Sequence, residues 1–369
     1  MVGERMAKRL LIITPVSERG AGCRYRIQQY LPFLEADGIQ ATVQPFYSDR
    51  LFELVYAEGA YGRKALLGCQ RALARFGQLW SLGSFDGVFI YREALPIGPP
   101  IWEWVCARRG LPIIFDFDDA IFLGDTNPIN GAVHRLKCAW KVSHVLRWSR
   151  QVIAGNTYLA SYAQAYQRRV TIIPTPIDTR RYQPVRPSTG NGAVPVIGWI
   201  GTPTSAKYVE SYGEAFRRLA SRRRFVLRVI GAGRSLHLPG VTLEERAWSL
   251  ERELEEFQRC DIGVYPLLDD AWSRGKCGFK ALQFMACGVP VVASRVGMNY
   301  EIITHGVNGL LAASIPEWVE ALEVLLDDQA MRQRVGEAAR ATVEARYSLA
   351  VNAPKFVRAV QQLWDTSER

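Results

Sequence analysis

Gly275-Lys-Cys-Gly-Phe-Lys280-Ala-Leu-Gln-Phe-Met-Ala-Cys-Gly288-Val-Pro290-Val-Val-Ala-Ser294 is the stretch of this 369-residue chain that says most about its fold. It reads as a glycine turn, a helix from Phe279 to about Cys287, a stop at Gly288 and a buried strand from Pro290 to Ser294. Glycine takes the left-handed conformation that closes a helix, and a proline shortly after it cannot continue one. A helix feeding a short, wholly apolar strand is the repeating unit of a parallel sheet covered on both faces. Lys276, Lys280 and Gln283 stand at i, i+4 and i+7, so they share one face if the helical phase reaches back to 276. A solvated lysine face has the same spacing. Against it, the segment is wedged between core strands, where a lysine needs a partner.

The same pattern runs upstream. Val196-Ile-Gly-Trp-Ile reads as a strand ending at Gly201, followed by a helix from about Tyr208 to Arg223, a strand from Phe225 to Ile230, Gly231-Ala-Gly233, and a strand at Ile262-Gly-Val-Tyr265. Between Gln183 and Pro195 the composition shifts to Pro, Ser, Thr, Gly and Asn, which is linker chemistry. Before the linker, apolar runs at 9–15, 40–44, 87–91, 111–116, 151–154 and 170–174 read as strands, with a helical pattern from Arg24 to Glu35 after the first. The fold class is therefore α/β, with two Rossmann-like domains at 1–185 and 193–346, a division that suits the length. The tail, 347–369, is helical in pattern, with Phe356, Val357, Val360 and Leu363 on one face.

Composition narrows the class. Apolar residues make up 48% and charged residues 22%, as in an ordinary globular protein. No apolar run approaches the roughly 18–20 residues that span a bilayer, and Leu11-Ile-Ile-Thr-Pro is too short for a secretory leader. Seven scattered cysteines suggest reduced thiols and a cytoplasmic setting. Cys277 and Cys287 read as small buried residues, and no Cys/His spacing suggests a metal. The net charge of +10 is uneven: residues 1–185 hold 23 Lys/Arg against 15 Asp/Glu, and the remainder holds 23 against 21. A basic half suits an anionic partner, although a generally Arg-rich composition also produces one. Residues 63–80 place Lys64, Arg71 and Arg75 opposite Leu66, Cys69, Leu73, Phe76 and Trp80 on a helical wheel. That pattern fits a helix lying on an anionic membrane surface, and equally a helix packing its apolar side on the sheet. No zinc finger, RNP-type motif or long basic tract points to nucleic acid. No G-x-G-x-x-G follows the first strand, and Gly231-Ala-Gly233 lacks the third glycine, which counts against a dehydrogenase.

In an open parallel sheet, ligands meet the loops at the carboxyl ends of the strands. The loop Gly20-Ala-Gly22-Cys-Arg24-Tyr-Arg26 offers backbone N–H groups and two guanidinium groups to a phosphate, or is simply a tight turn. Asp116, Asp118 and Asp119 end an apolar strand, where carboxylates are costly unless paired, hydrated or functional. Asp116 and Asp118 are expected on one face, with Asp119 pointing elsewhere. A divalent ion could hold such a cluster, but no further ligands lie nearby in sequence.

Ala281-Leu-Gln-Phe-Met-Ala-Cys-Gly-Val-Pro-Val-Val-Ala-Ser294 resembles the donor-site signature of retaining glycosyltransferases of family 4, which have the GT-B fold. Supporting matches run along the chain: the 20–26 loop, Ala154-Gly-Asn156-Thr-Tyr-Leu, Ile173-Pro-Thr-Pro-Ile-Asp178, Trp199-Ile-Gly201, Ile230-Gly231-Ala-Gly233, Asp261 to Pro266, and Val307-Asn-Gly309-Leu-Leu. The resemblance implies a nucleotide-diphosphate sugar as donor substrate in the second domain and an acceptor in the first. The acceptor would be a glycan, a lipid-linked compound or a small molecule, and the terminal helix would cross back to the first domain. No cofactor or metal is implied. Gly201, Thr202, Gly231, Gly233, Gly278 and Gln283 would line the donor site. Gly20, Gly22, Arg24, Arg26 and Asn156 would form an acceptor or phosphate loop, and Asp116, Asp118 or Asp119 would be the acceptor-side polar group. The family signature carries two glutamates eight positions apart, and here those positions hold Gly275 and Gln283. Gln283 keeps the ability to hydrogen-bond a ribose hydroxyl, and Lys276 or Lys280 takes over where Gly275 offers no side chain. Thr202 stands where the family has an arginine, and Lys207 keeps the lysine, so Lys207, Lys276 and Lys280 would neutralise the leaving diphosphate. The lost acids leave a second reading open, a nucleotide-sugar-binding relative with little or no transfer activity.

Overall fold

Two all-parallel six-stranded sheets organise the computed structural model, which describes residues 7–56, 59–124, 136–185 and 194–365. One compact unit combines residues 1–176 with 352–369, and the other comprises 177–351. Most of the linker-like stretch, 186–193, lies outside the described residues. Residues 177–185, read from sequence with the first domain, pack in the second unit. There Ile177 pairs with Ser348, and the Tyr182 ring meets Phe257.

The first sheet consists of β1 (Lys8–Thr14), β2 (Ile39–Pro45), β3 (Gly87–Tyr91), β4 (Ile113–Phe117), β5 (Gln151–Ala154) and β6 (Val170–Ile172), in the order β2-β1-β3-β4-β5-β6. β3, β4 and β5 are buried along their whole length, which explains their unbroken apolar runs. The helices are α1 (Ala21–Arg26), α2 (Leu31–Ala36), α3 (Asp49–Tyr56), α4 (Tyr61–Gly77), α5 (Ile101–Arg108), α6 (Lys141–Trp148) and α7 (Thr157–Gln164). The single helix expected over 24–35 is broken into α1, a 3-10 turn at Gln28–Tyr30 and α2. Pro32 sits in the first turn of α2, where its missing N–H costs nothing, so a new helix starts there.

α4 settles the two readings of residues 63–80 against packing of its apolar side. Its basic side turns inward: Arg71 donates to the Pro45 and Phe46 carbonyls at 2.8 and 2.7 Å, and buried Arg75 donates to the Gln44 carbonyl at 3.0 Å. These carbonyls lie where β2 ends, and the two guanidinium groups satisfy them. Leu66, Cys69, Leu73 and Trp80 are left exposed on the opposite side. No helix among the described residues is long and apolar enough to cross a membrane.

The second sheet consists of β7 (Val196–Ile200), β8 (Val226–Ile230), β9 (Leu243–Arg246), β10 (Ile262–Tyr265), β11 (Val291–Ser294) and β12 (Leu310–Ala312), in the order β12-β11-β10-β7-β8-β9. Its helices are α8 (Ala206–Ser211), α9 (Gly213–Ala220), α10 (Glu253–Gln258), α11 (Ala271–Arg274), α12 (Phe279–Ala286), α13 (Asn299–Ile302), α14 (Ile315–Asp327) and α15 (Gln329–Thr342). Phe216, Leu227, Ile262, Trp318 and Leu322 are among the residues of its core. α16 (Leu349–Gln361) runs from the second unit into the first, where Phe356 stacks on Tyr30 with centroids 3.9 Å apart.

Candidate functional site

The order of the second sheet defines one special place. The chain leaves β7 toward β8 and β9, then returns to lay β10 on the other side of β7. At such a reversal the loops beyond the carboxyl ends diverge and leave room for a ligand. Three loops border this point: 201–205 after β7, 231–233 after β8 and 266–278 after β10.

Gly201 opens the first loop. Its turn is held by Thr202 N–H donating to Ser205 Oγ at 2.8 Å and by Ser205 Oγ donating to the Thr202 carbonyl at 3.0 Å. Thr202 itself is exposed. Gly231 (φ +82°) and Gly233 (φ +70°) have left-handed backbones. A Cβ at 231 would overlap the Gly201 carbonyl oxygen, and one at 233 would lie 2.6 Å from Pro203 Cγ. Both glycines therefore let the second loop lie directly against the first.

Two of the three expected lysines converge here. Lys207, exposed in the first turn of α8, holds Nζ 5.2 Å from the Tyr208 ring centroid. Lys276, from the loop after α11, brings Nζ to 5.8 Å from the same ring and 5.9 Å from Trp272. Tyr208 is buried, and its hydroxyl accepts a hydrogen bond from Ser273 Oγ at 3.2 Å, which fixes the ring. An aromatic face attracts a cation, so the fixed Tyr208 ring brings the two ammonium groups together.

Lys280 and Gln283 are placed differently from the sequence expectation. Gly278 caps α12 with φ +64°, where a side chain would strike Ile302, so the helical phase does not reach back to Lys276. The shared face of Lys276, Lys280 and Gln283 therefore does not form. Lys280 Nζ donates to Glu253 Oε1 at 2.9 Å, and Glu253 also accepts from Trp248 Nε1 at 3.3 Å and from the Tyr182 hydroxyl at 3.4 Å. Gln283 is fully buried, and its Nε2 donates to the Tyr182 hydroxyl at 2.7 Å. Its Oε1 is buried and has no hydrogen-bond partner among the described residues. Glu253 is buried too, and nothing in Glu-Leu-Glu-Glu256 distinguishes it from its half-exposed neighbour Glu255.

In the first unit, the charges expected to serve a ligand are spent on one another. Arg26 and Asp116 are 1% and 0% exposed and paired: Nε donates to Oδ2 at 3.0 Å and Nη2 to Oδ1, while Nη1 donates to the Ile173 carbonyl at 2.6 Å. Burial pushes the Asp116 carboxyl up to about 6 even though Arg26 opposes the shift. Arg24 folds back on its own loop, donating to the carbonyls of Glu18 and Arg19 at 2.9 and 2.7 Å. Gly20 precedes α1, and a Cβ on it would lie 2.5 Å from Val16 Cγ2. Gly22 lies against the Tyr91 hydroxyl, where a Cβ would overlap it, so tight packing accounts for both glycines. Asn156 is the N-cap of α7, its side chain accepting from Leu159 N–H at 2.9 Å.

The pairing of carboxylates also differs from the expected alternation, because β4 ends at Phe117. Asp118 and Asp119, not Asp116 and Asp118, share a partner: Arg92 donates to them at 2.7 and 2.6 Å. The Tyr91 hydroxyl adds a bond to Asp118 at 2.8 Å. Burial would raise the Asp118 carboxyl, but the Arg92 and Arg26 charges, with the hydrogen bonds from Arg92 and Tyr91, together outweigh it and hold it below the usual carboxylate range. Arg92 has φ +63°, a conformation a non-glycine residue keeps only when its surroundings hold it there. Among the described residues, no group of three or more His, Cys, Asp or Glu side chains is placed to hold a metal ion.

Two sheets of this order, each with loops gathered at its carboxyl edge, define the GT-B class of two Rossmann-like units. The chain matches sucrose-phosphate synthase from Thermosynechococcus elongatus with a TM-score of 0.67 at 15% identity, over 97% of this chain and 99% of that one. It matches HepE from Anabaena, in complex with UDP-glucose, with a TM-score of 0.67 at 16% identity, over 96% and 99%. Within that fold, residues 194–328 match the family model for Glycosyl transferases group 1. D-inositol 3-phosphate glycosyltransferase from Pseudarthrobacter chlorophenolicus is 36% identical over 129 residues, 33% of this chain. The matched stretch spans 28% of that relative's length.

Proposed function

We propose that this chain is a glycosyltransferase that takes a sugar from a nucleotide-diphosphate sugar bound by the second unit and joins it to an acceptor bound by the first. The observation that carries the proposal is the meeting of Lys207 and Lys276 on the Tyr208 ring, beside the Gly201 turn of the group 1 domain. In the reaction the bond from the anomeric carbon to the diphosphate breaks, and the acceptor hydroxyl loses its proton as the new glycosidic bond forms. Negative charge grows on the departing diphosphate. Two fixed cations stabilise that charge more than they stabilise the intact donor. Retention of anomeric configuration, and an acceptor that is a glycan, a lipid-linked compound or a small molecule, complete the reading on the strength of the family resemblance. The cytoplasmic setting rests on free cysteines, seven in all.

Calorimetric titration of the full chain with UDP, GDP and ADP and their sugar conjugates tests the donor half. Lys207→Ala and Lys276→Ala are each expected to weaken binding of the preferred diphosphate by about tenfold to a hundredfold, as for loss of a charge-assisted contact. Unchanged affinity in both variants would overturn the assignment.

One observation favours a second reading, a donor-binding protein with weak transfer. Gly275 has no side chain and Gln283 is turned inward, so the two positions where the family has acids present none. Donor binding without donor hydrolysis or product, across a panel of acceptors, would decide for that reading.

A further inference from the structure

The first unit carries a surface that its own packing leaves unused. α4 turns its arginines inward and its apolar side outward, with Leu66 at 60%, Leu73 at 72% and Trp80, just past the helix, at 88% exposure. α5 lies beside this segment: Trp102 Nε1 donates to the Arg75 carbonyl at 3.0 Å, and Arg109 donates to the Leu79 carbonyl. α6 packs against α5 in turn. The right-handed crossovers β2-α4-β3, β3-α5-β4 and β4-α6-β5 all step the same way along the sheet, so the three helices cover one face of it. Ile101 and Trp104 of α5, and Trp140 at the start of α6, are half-exposed and extend the apolar surface.

Charge on these segments is one-sided. Residues 61–84, 97–110 and 136–150 together hold ten Lys/Arg, of which Arg71, Arg75 and Lys141 are turned inward, and one acid, Glu103. Glu103 is buried and accepts a hydrogen bond from Ala94 N–H at 3.0 Å, so it does not face solvent. The surface therefore combines large apolar side chains with cations and presents no carboxylate from these segments. We propose that α4, α5 and α6 form one docking face for an anionic lipid surface, with the apolar side chains entering the headgroup boundary and the Lys/Arg meeting lipid phosphates. A second copy of the chain fits the face poorly, because a two-fold contact would set these cations against their own duplicates. This inference stands apart from the donor reading.

The test is sedimentation of the full chain with vesicles of phosphatidylcholine alone and of phosphatidylcholine mixed with phosphatidylglycerol. Binding is expected to the anionic vesicles only, weakening as salt is added, with a blue shift of tryptophan emission. Leu73→Ser/Trp80→Ser on α4 and Trp104→Ser/Trp140→Ser on α5 and α6 are each expected to lower partitioning by at least about tenfold. Because these side chains are exposed or half-exposed, the melting temperature should stay near that of the parent. Arg63→Glu/Lys64→Glu is expected to remove the preference for anionic vesicles. Equal binding to both vesicle types, absence of binding, or parent-like partitioning by either serine pair would each overturn the proposal. So would a vesicle-free dimer that Leu73→Ser/Trp80→Ser dissolves, since the face would then serve self-association.

Discussion

Arg26 and Asp116 are separated by 90 positions, and each alone looks like a group waiting for a ligand. Together they form a buried pair, so their energetics concern folding. Removing one member of such a pair leaves an uncompensated buried charge and costs about 3–5 kcal/mol. Folded Asp116 binds its proton up to about 6, well above an unfolded aspartate near 3.9. Its contribution to stability is therefore fully present below the unfolded value and is lost as pH rises through about 6. Arg26→Met removes the one cation in direct contact, so the Asp116 carboxyl should rise further. The variant is expected to be most destabilised near pH 8 and to recover as pH falls toward about 5. Urea unfolding of variant and parent across that range checks it, and a pH-independent difference would refute the pairing argument. The sequence showed three carboxylates at a strand end but gave no sign of which cation each would meet. Lys280 teaches the same lesson, since its partner Glu253 stands among other glutamates, Glu256 equally buried, and no sequence signal singles it out. The loops that carry Lys207 and Lys276 were legible because glycine turns at strand ends place them, whatever the side chains do.

Elements were read well where one physical rule dominated. Strands buried on both faces have no alternative to a continuous apolar run, which is why β3, β5 and β10 stand within their expected bounds. β9 was not legible: Leu243-Glu-Glu-Arg246 lies at the sheet edge, where Glu244 pairs with Arg228 and Arg246 in place of apolar contacts. α4 was ambiguous for a deeper reason, since a helical wheel gives two faces without saying which is inward. Carbonyls at the end of β2 decided it, and they carry no sequence signal. For α12 the deciding residue is Gly278, whose left-handed backbone starts the helix after Lys276 and sends that lysine toward Tyr208. Gly278→Ala would force a Cβ into this conformation and against Ile302. The expected cost is more than about 1 kcal/mol, with weaker diphosphate binding because the Lys276 loop must shift. Melting temperature and UDP titration measure both effects, and a stable variant with parent affinity would show that this cap does not set the lysine.

On the scale of the whole chain, the sheets and the chain segments do not divide at the same place. The composition shift lies at 183–195, yet the first unit ends at Pro176 and takes back residues 352–369. Tyr30 and Phe356 stack with planes 6° apart, Gln361 Nε2 donates to Asp37 Oδ2 at 2.6 Å, and Trp364 Nε1 donates to the Asp86 carbonyl at 2.9 Å. The last helix is thus part of the first unit's core, although most of the second unit precedes it in sequence. Phe356→Ala should remove about 3–5 kcal/mol from that core. On the proposed donor site, UDP should stabilise only the second unit, by about 2.7 kcal/mol at a hundred times its dissociation constant. Calorimetry of a two-unit chain resolves such effects as separate transitions. The expectation is that Phe356→Ala lowers one transition while UDP raises the other, in parent and variant alike. If UDP raised the same transition that Phe356→Ala lowers, the nucleotide would be bound by the first unit, and the assignment of donor to the second unit would fail.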